Sequence, residues 1–137
     1  MKPVFLFVLL ATLLCACCQG ECEGCGIFVS FEKFNATEAD TVLFVEYVPG
    51  TAQQQVRDSQ WIYNPTLPAD TTKSFLMRDL FCNADWTIFI PAVNRSYLVT
   101  AIQTKLEKCP CQGGKQPSVQ QYAVNGTAHQ EHTLVLQ

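Results

Sequence analysis

After about residue 25 apolar positions recur at the two-residue spacing of strands rather than the spacing of helices. In GIFVSFEKF, Ile27, Val29 and Phe31 share one face of a strand. TVLFVEYV is apolar on both faces, which predicts a fully buried strand ending at Pro49-Gly50. WTIFIPAV sets Trp86, Ile88 and Ile90 against Thr87 and Phe89, and Pro91 ends the ladder. YLVTAIQTKLEK repeats Leu98, Ile102 and Leu106 every four residues, compatible with a helix or a strand; its Val, Thr and Ile content favours strand. AVNRSY then reads as the hairpin turn between these two strands. SVQQYAV and TAHQEHTLVL flank Asn125-Gly126, the pair that supplies the positive φ angles of a type I′ hairpin turn.

SFLMRDLFC fits a strand or a helix. Residues 49–73 are polar and Pro-rich, and read as a long loop holding one short element, Trp61-Ile62-Tyr63. CQGGKQPS reads as a hinge before the second hairpin. About seven strands in a single domain predict an all-β fold, an antiparallel β-sandwich stapled by disulfides.

The first residues follow another pattern. Lys2 precedes a run of apolar residues from Val4 to Ala16 that ends in small residues. The run has the length of a signal-peptide core and falls short of the roughly 20 residues of a membrane span. Residues 1–20 are therefore expected to be a cleaved signal peptide, with the boundary at 17–20, and residues 21–137 one secreted domain. LCAC also resembles a bacterial lipobox centred on Cys17. The glycosylation pattern opposes that reading: three of the five asparagines, Asn35, Asn94 and Asn125, open N-x-S/T sequons, an excess suited to a eukaryotic secreted glycoprotein.

Five of the eight cysteines lie between Leu13 and Gly26. Cleavage after Cys18 or Gly20 leaves Cys22, Cys25, Cys82, Cys109 and Cys111, an odd number, and cleavage after Cys17 would leave Cys18 as a sixth; these thiols should pair in the oxidising secretory route. The simplest pairing joins Cys22 and Cys25 to Cys109 and Cys111. Cys25 to Cys82 is equally allowed, and spacing does not decide. Under the first pairing Cys82 is left over, buried beside Leu80 and Phe81 in a monomer; were it exposed, it would link two chains. A redox C-x-x-C belongs at a helix N-terminus, whereas CEGC leads into a strand. A four-thiolate zinc site from C-x2-C and C-x-C is sterically tight.

The remaining chemistry is sparse. A net charge of −3 without a basic stripe argues against nucleic acid. No second hydrophobic segment is long enough to anchor the chain stably in a membrane, and the chain shows no phosphate loop, nucleophile elbow or spaced carboxylate pair. No catalytic residue, cofactor or metal is expected. His129 and His132, three apart on a strand, would point to opposite faces. Asp58, Asp79 and Asp85 are scattered and expected to be solvated. Trp61 and Tyr63 are either a binding anchor or a small satellite core beneath the long loop.

CNADWTIFIPAVNRSYLVTAI, Cys82 to Ile102, resembles the central motif of CUB and nematode-type CUB-like domains, with Cys82, Trp86, Ile88, Ile90 and Pro91 in the matching places. The resemblance covers about 20 residues. It implies a β-sandwich in a secreted or extracellular protein used for binding, with a link to defence in some members. The acidic calcium pattern of CUB domains has no counterpart here, so no calcium residues are carried over. FCNAD, Phe81 to Asp85, is also similar to a stretch near the start of tissue inhibitors of metalloproteinases. Those chelate the protease zinc through an N-terminal Cys-x-Cys, and here Cys109-Pro110-Cys111 lies downstream of FCNAD. The expected function is an extracellular binding module for a protein or glycan ligand. The alternative is a secreted inhibitor or effector that blocks another protein's enzyme.

Overall fold

Alternation in the sequence becomes alternation in burial. The computed structural model describes residues 25–32, 34, 37–63, 78–108 and 114–137. The expected signal peptide and Cys22, Asn35, Cys109 and Cys111 lie outside the described residues. The described chain is all-β, with nine strands: β1 (Gly26–Phe31), β2 (Thr41–Tyr47), β3 (Val56–Tyr63), β4 (Arg78–Phe81), β5 (Asp85–Ile90), β6 (Arg95–Lys108), β7 (Lys115–Val124), β8 (Thr127–His129) and β9 (Thr133–Leu136). They form two sheets, one ordered β4-β1-β9 and one ordered β3-β2-β5-β6-β7-β8.

One core serves both sheets. The small sheet contributes Ile27 opposite Leu80, Val29 opposite Leu134 and Phe31 opposite Leu136, all buried. The large sheet contributes Phe44 opposite Ile88 and Trp86 opposite Val99, also buried, with Tyr122 and Val124 from β7. These side chains join one cluster, so the inner faces of the two sheets share a single apolar interior. Polar links add to it. The Trp86 indole N–H donates to the Phe81 carbonyl at the end of β4 (3.0 Å), and Arg95 and Tyr97 of β6 both donate to the Gln137 carbonyl beyond β9 (3.0 and 2.9 Å).

Several expectations are corrected. β2 buries Val42 and Phe44 but leaves its other face half-buried rather than enclosed. Of the loop expected over 49–73, the part from Val56 to Tyr63 is a strand that starts five residues before the short element expected at Trp61, and residues 64–73 lie outside the described residues. Both faces of the VRDSQ stretch are exposed, so it needs no apolar stripe. The β6 segment is a strand, and the strand-or-helix segment SFLMRDLFC forms β4 over Arg78–Phe81, its residues 74–77 lying outside the described chain. KQPS belongs to β7 rather than to a hinge.

TAHQEHTLVL divides in two. β8 stays antiparallel to β7, while β9 crosses to the small sheet and runs parallel to β1, a departure from the fully antiparallel expectation. The Phe28 N–H donates to the His132 carbonyl (3.0 Å) and Glu32 N–H to the Leu136 carbonyl (2.8 Å), which continues the β1–β9 pairing at both ends. The Asn125-Gly126 turn is as expected: φ is 49° and 83°, the pair of left-handed conformations of a type I′ turn.

Cys82 is not left over. It bonds to Cys25 across a Cα–Cα distance of 5.5 Å. The bond follows from the register: Gly26 lies opposite Phe81, so the next residues outward on β1 and β4 are Cys25 and Cys82. The Cys82 N–H also donates to the Cys25 carbonyl (3.4 Å). With this bridge made, Cys82 is unavailable for linking two chains.

Candidate functional site

β3 is the edge of the large sheet. It pairs with β2, and no described strand lies on its other side. Trp61 and Tyr63 are two residues apart and so share a face. They are 46 % and 68 % exposed. Trp61 lies opposite Leu43, which lies opposite Phe89 on β5; Tyr63 lies opposite Thr41. Val42, Phe44, Ile88 and Ile90, the chain neighbours of Leu43 and Phe89, point into the core. Trp61, Leu43 and Phe89 therefore form a row on the outer face of the sheet, open at the β3 end. The sequence left open an anchor or a satellite core beneath the loop; rings this exposed offer accessible aromatic area to a ligand.

The base of β3 is fixed differently. Register with β2 shifts between Glu46 and Tyr47, and there Arg57 pairs with Glu46 (2.8 Å) while donating to the Asn83 carbonyl (3.3 Å). The bulge and charged pair blunt this half of the edge and leave the aromatic half as the open one. A smaller apolar group, Phe28, Phe81 and Val135, is exposed on the small sheet.

The other residues singled out in the sequence fall apart from this edge. Asn94 is exposed in a left-handed turn after the 3₁₀ turn Pro91–Val93, and its N–H donates to the Pro91 carbonyl (3.0 Å). Asn125 is exposed, and its Oδ1 accepts from the Leu98 N–H (2.8 Å), leaving its amide nitrogen as the atom a glycan would use. His129 stacks on Tyr122, with ring centroids 5.6 Å apart, and His132 sits in the turn before β9, so the two are not brought together. Among the described residues no three His, Cys, Asp or Glu gather in a way that could hold a metal. Asp58 and Asp79 are exposed as expected, but Asp85 is 8 % exposed. Its solvated reading is corrected: Asp85 Oδ2 accepts the Gly50 N–H (3.1 Å), and the β2–β3 turn covers it.

Tyr122 is buried, and its hydroxyl has no hydrogen-bond partner among the described residues. Burial, with a contribution from the Glu131 charge, pushes the phenol up to about 12. A folded pKa above the unfolded value near 10 gives stability that is complete below pH ~10 and is lost as pH rises towards ~12. Tyr122→Phe is expected to remove this alkaline loss. At neutral pH it should raise stability by about 1 kcal/mol, since a buried hydroxyl without a partner costs more than it contributes. Denaturant unfolding of both proteins from pH 7 to about 12 checks both effects.

These features define a small all-β protein with two sheets, an internal disulfide and an exposed aromatic edge. The sequence matches no family model, no curated protein and no solved structure.

Proposed function

We propose that the chain is a secreted, disulfide-stabilised glycoprotein that acts as an extracellular binding module rather than a catalyst, and that Trp61 and Tyr63 anchor its ligand. The observation that carries this reading is the exposure of two aromatic rings on an open edge strand, backed by Leu43 and Phe89. Such an edge suits a protein segment laid alongside β3, where backbone groups supply affinity and the aromatic face supplies selectivity. A glycan stacking on the rings is the other form of the same reading. The signal-like N-terminus, the three sequons and the Cys25–Cys82 bridge support secretion. The CUB-like motif is compatible with a defence-related binding role.

The test is a screen of the glycosylated protein against purified extracellular domains and immobilised glycans, repeated with Trp61→Ala/Tyr63→Ala. Loss of the two anchors is expected to weaken a genuine ligand by about 30-fold or more. The melting temperature should be nearly unchanged, because both rings are exposed. A ligand bound equally by the double variant would overturn the assignment of this edge. Protease and glycosidase inhibition assays on the same pair of proteins separate simple binding from the inhibitor alternative.

A further inference from the structure

At the end of the large sheet where Tyr47 lies opposite Asp85, two turns and the irregular stretch of β6 border an open pocket of about 470 Å³. Gly50 and Ala52 of the β2–β3 turn form one wall, Ala84 and Asp85 the floor, and Thr100 and Ala101 of β6 the other wall. Trp86 and Val99, the neighbours of Asp85 and Thr100, point into the core, so Asp85 and Thr100 lie on the outer face. The Asp85 carboxylate is the one charged group lining the pocket.

That carboxylate carries more charge than its structural role needs. It is over nine-tenths buried, and one oxygen accepts the Gly50 N–H. Among the described residues no Lys, Arg or His pairs with it; the two ion pairs there engage Glu46 and Glu107. A neutral amide oxygen would hold the turn equally well, whereas a carboxylate that faces an open pocket without a cationic partner among the described residues offers a counter-ion to a cation. The walls are also held in costly conformations. Ala101 has φ 52° inside β6, where the register with β7 shifts between Thr100 and Gln103, and Ala52 has φ 49°. Non-glycine residues in this region persist only where their surroundings fix them, and they gather at ligand clamps.

We propose that this pocket binds a small organic cation, a primary ammonium or guanidinium group on a short aliphatic stem. Asp85 is its counter-ion, and Ala84 and Ala101 receive the stem. The pocket lies four residues along β2 and β5 from the Leu43–Phe89 pair, and its assignment does not depend on the aromatic edge.

The experiment is calorimetric titration of the disulfide-intact protein with agmatine and pentylamine, with pentanol as the neutral match. Both amines are expected to saturate with Kd on the order of 1 mM or tighter, and pentanol to bind at least about tenfold more weakly. Asp85→Asn keeps an acceptor for Gly50 and should lose about tenfold or more in amine affinity. Should that variant lose its turn, Thr100→Lys offers an independent check: an internal ammonium beside Asp85 should block the amines while the fold is retained. The methylamides of Nα-acetyl-lysine and Nα-acetyl-arginine separate the sources. Binding as tight as the free amines assigns the pocket to a partner's side chain, and binding of the free amines alone assigns it to a small molecule. Equal affinity for pentanol and pentylamine, undiminished amine binding in the folded Asp85→Asn or Thr100→Lys protein, or no saturation by any probe overturns the proposal.

Discussion

Cys25→Ser and Cys82→Ser, alone or together, are expected to lower stability by about 4 kcal/mol and the melting temperature by roughly 15 °C or more. The bridge joins residues separated by 57 positions, so reduction frees a long loop in the unfolded chain. It also ties the β1–β4 pair at its outer end, and β4 has only four residues to hold it to β1. The double variant should cost little more than either single one, because one substitution already breaks the bond. Thermal melts of the three variants and of the reduced wild type check this. If Cys82→Ser melts like the wild type while Cys25→Ser does not, Cys25 has another partner. The same bond redirects the question of the unpaired thiol. With Cys25 and Cys82 joined, a disulfide-linked dimer would have to arise through Cys22, Cys109 or Cys111, and it should persist in Cys82→Ser.

The elements legible in the sequence are those whose signal is local. Ile27, Val29 and Phe31 alternate because they share the face of β1 that meets the core. Trp86, Ile88 and Ile90 alternate for the same reason in β5, and Asn125-Gly126 encodes its own turn. What the sequence concealed depends on partners distant along the chain. The first half of β3 is exposed on both faces, so it carries no apolar stripe to read. Nothing within TAHQEHTLVL marks the break after His129, since the pull on β9 comes from β1 about a hundred residues earlier.

The candidate sites divide in the same way. The aromatic pair is visible as Trp61 and Tyr63 in a polar stretch, but whether those rings are covered is decided by the register with β2. Asp85 looked like one of several scattered carboxylates. Its burial comes from the Gly50 turn, 35 positions away, and the only local hint is an acidic residue directly before a core tryptophan. The disulfide had two equally good solutions until β1 and β4 were known to be neighbours, at which point the register selected Cys25 and Cys82.

The two tryptophans should respond in opposite ways, and Trp86→Ala is the variant expected to cost most after loss of the disulfide. Trp86 is buried near the start of β5, between β2 and β6, opposite Glu46 and Val99. Its ring belongs to the core cluster to which both sheets contribute, and its N–H reaches the Phe81 carbonyl at the end of β4. Truncation to Ala removes buried apolar area and leaves a cavity that the paired strands cannot close by sliding, a loss of about 3–5 kcal/mol. Trp86→Phe keeps most of the volume and gives up the hydrogen bond, so its cost should be nearer 1–2 kcal/mol. The Phe81 carbonyl lies at an exposed residue, where water can replace the indole N–H. Trp61→Ala, by contrast, should fall within about 0.5 kcal/mol of the wild type. Denaturant midpoints of the three variants measure the order. If Trp61→Ala proves as costly as Trp86→Ala, the Trp61 ring is part of the packed structure and no longer free to anchor a ligand.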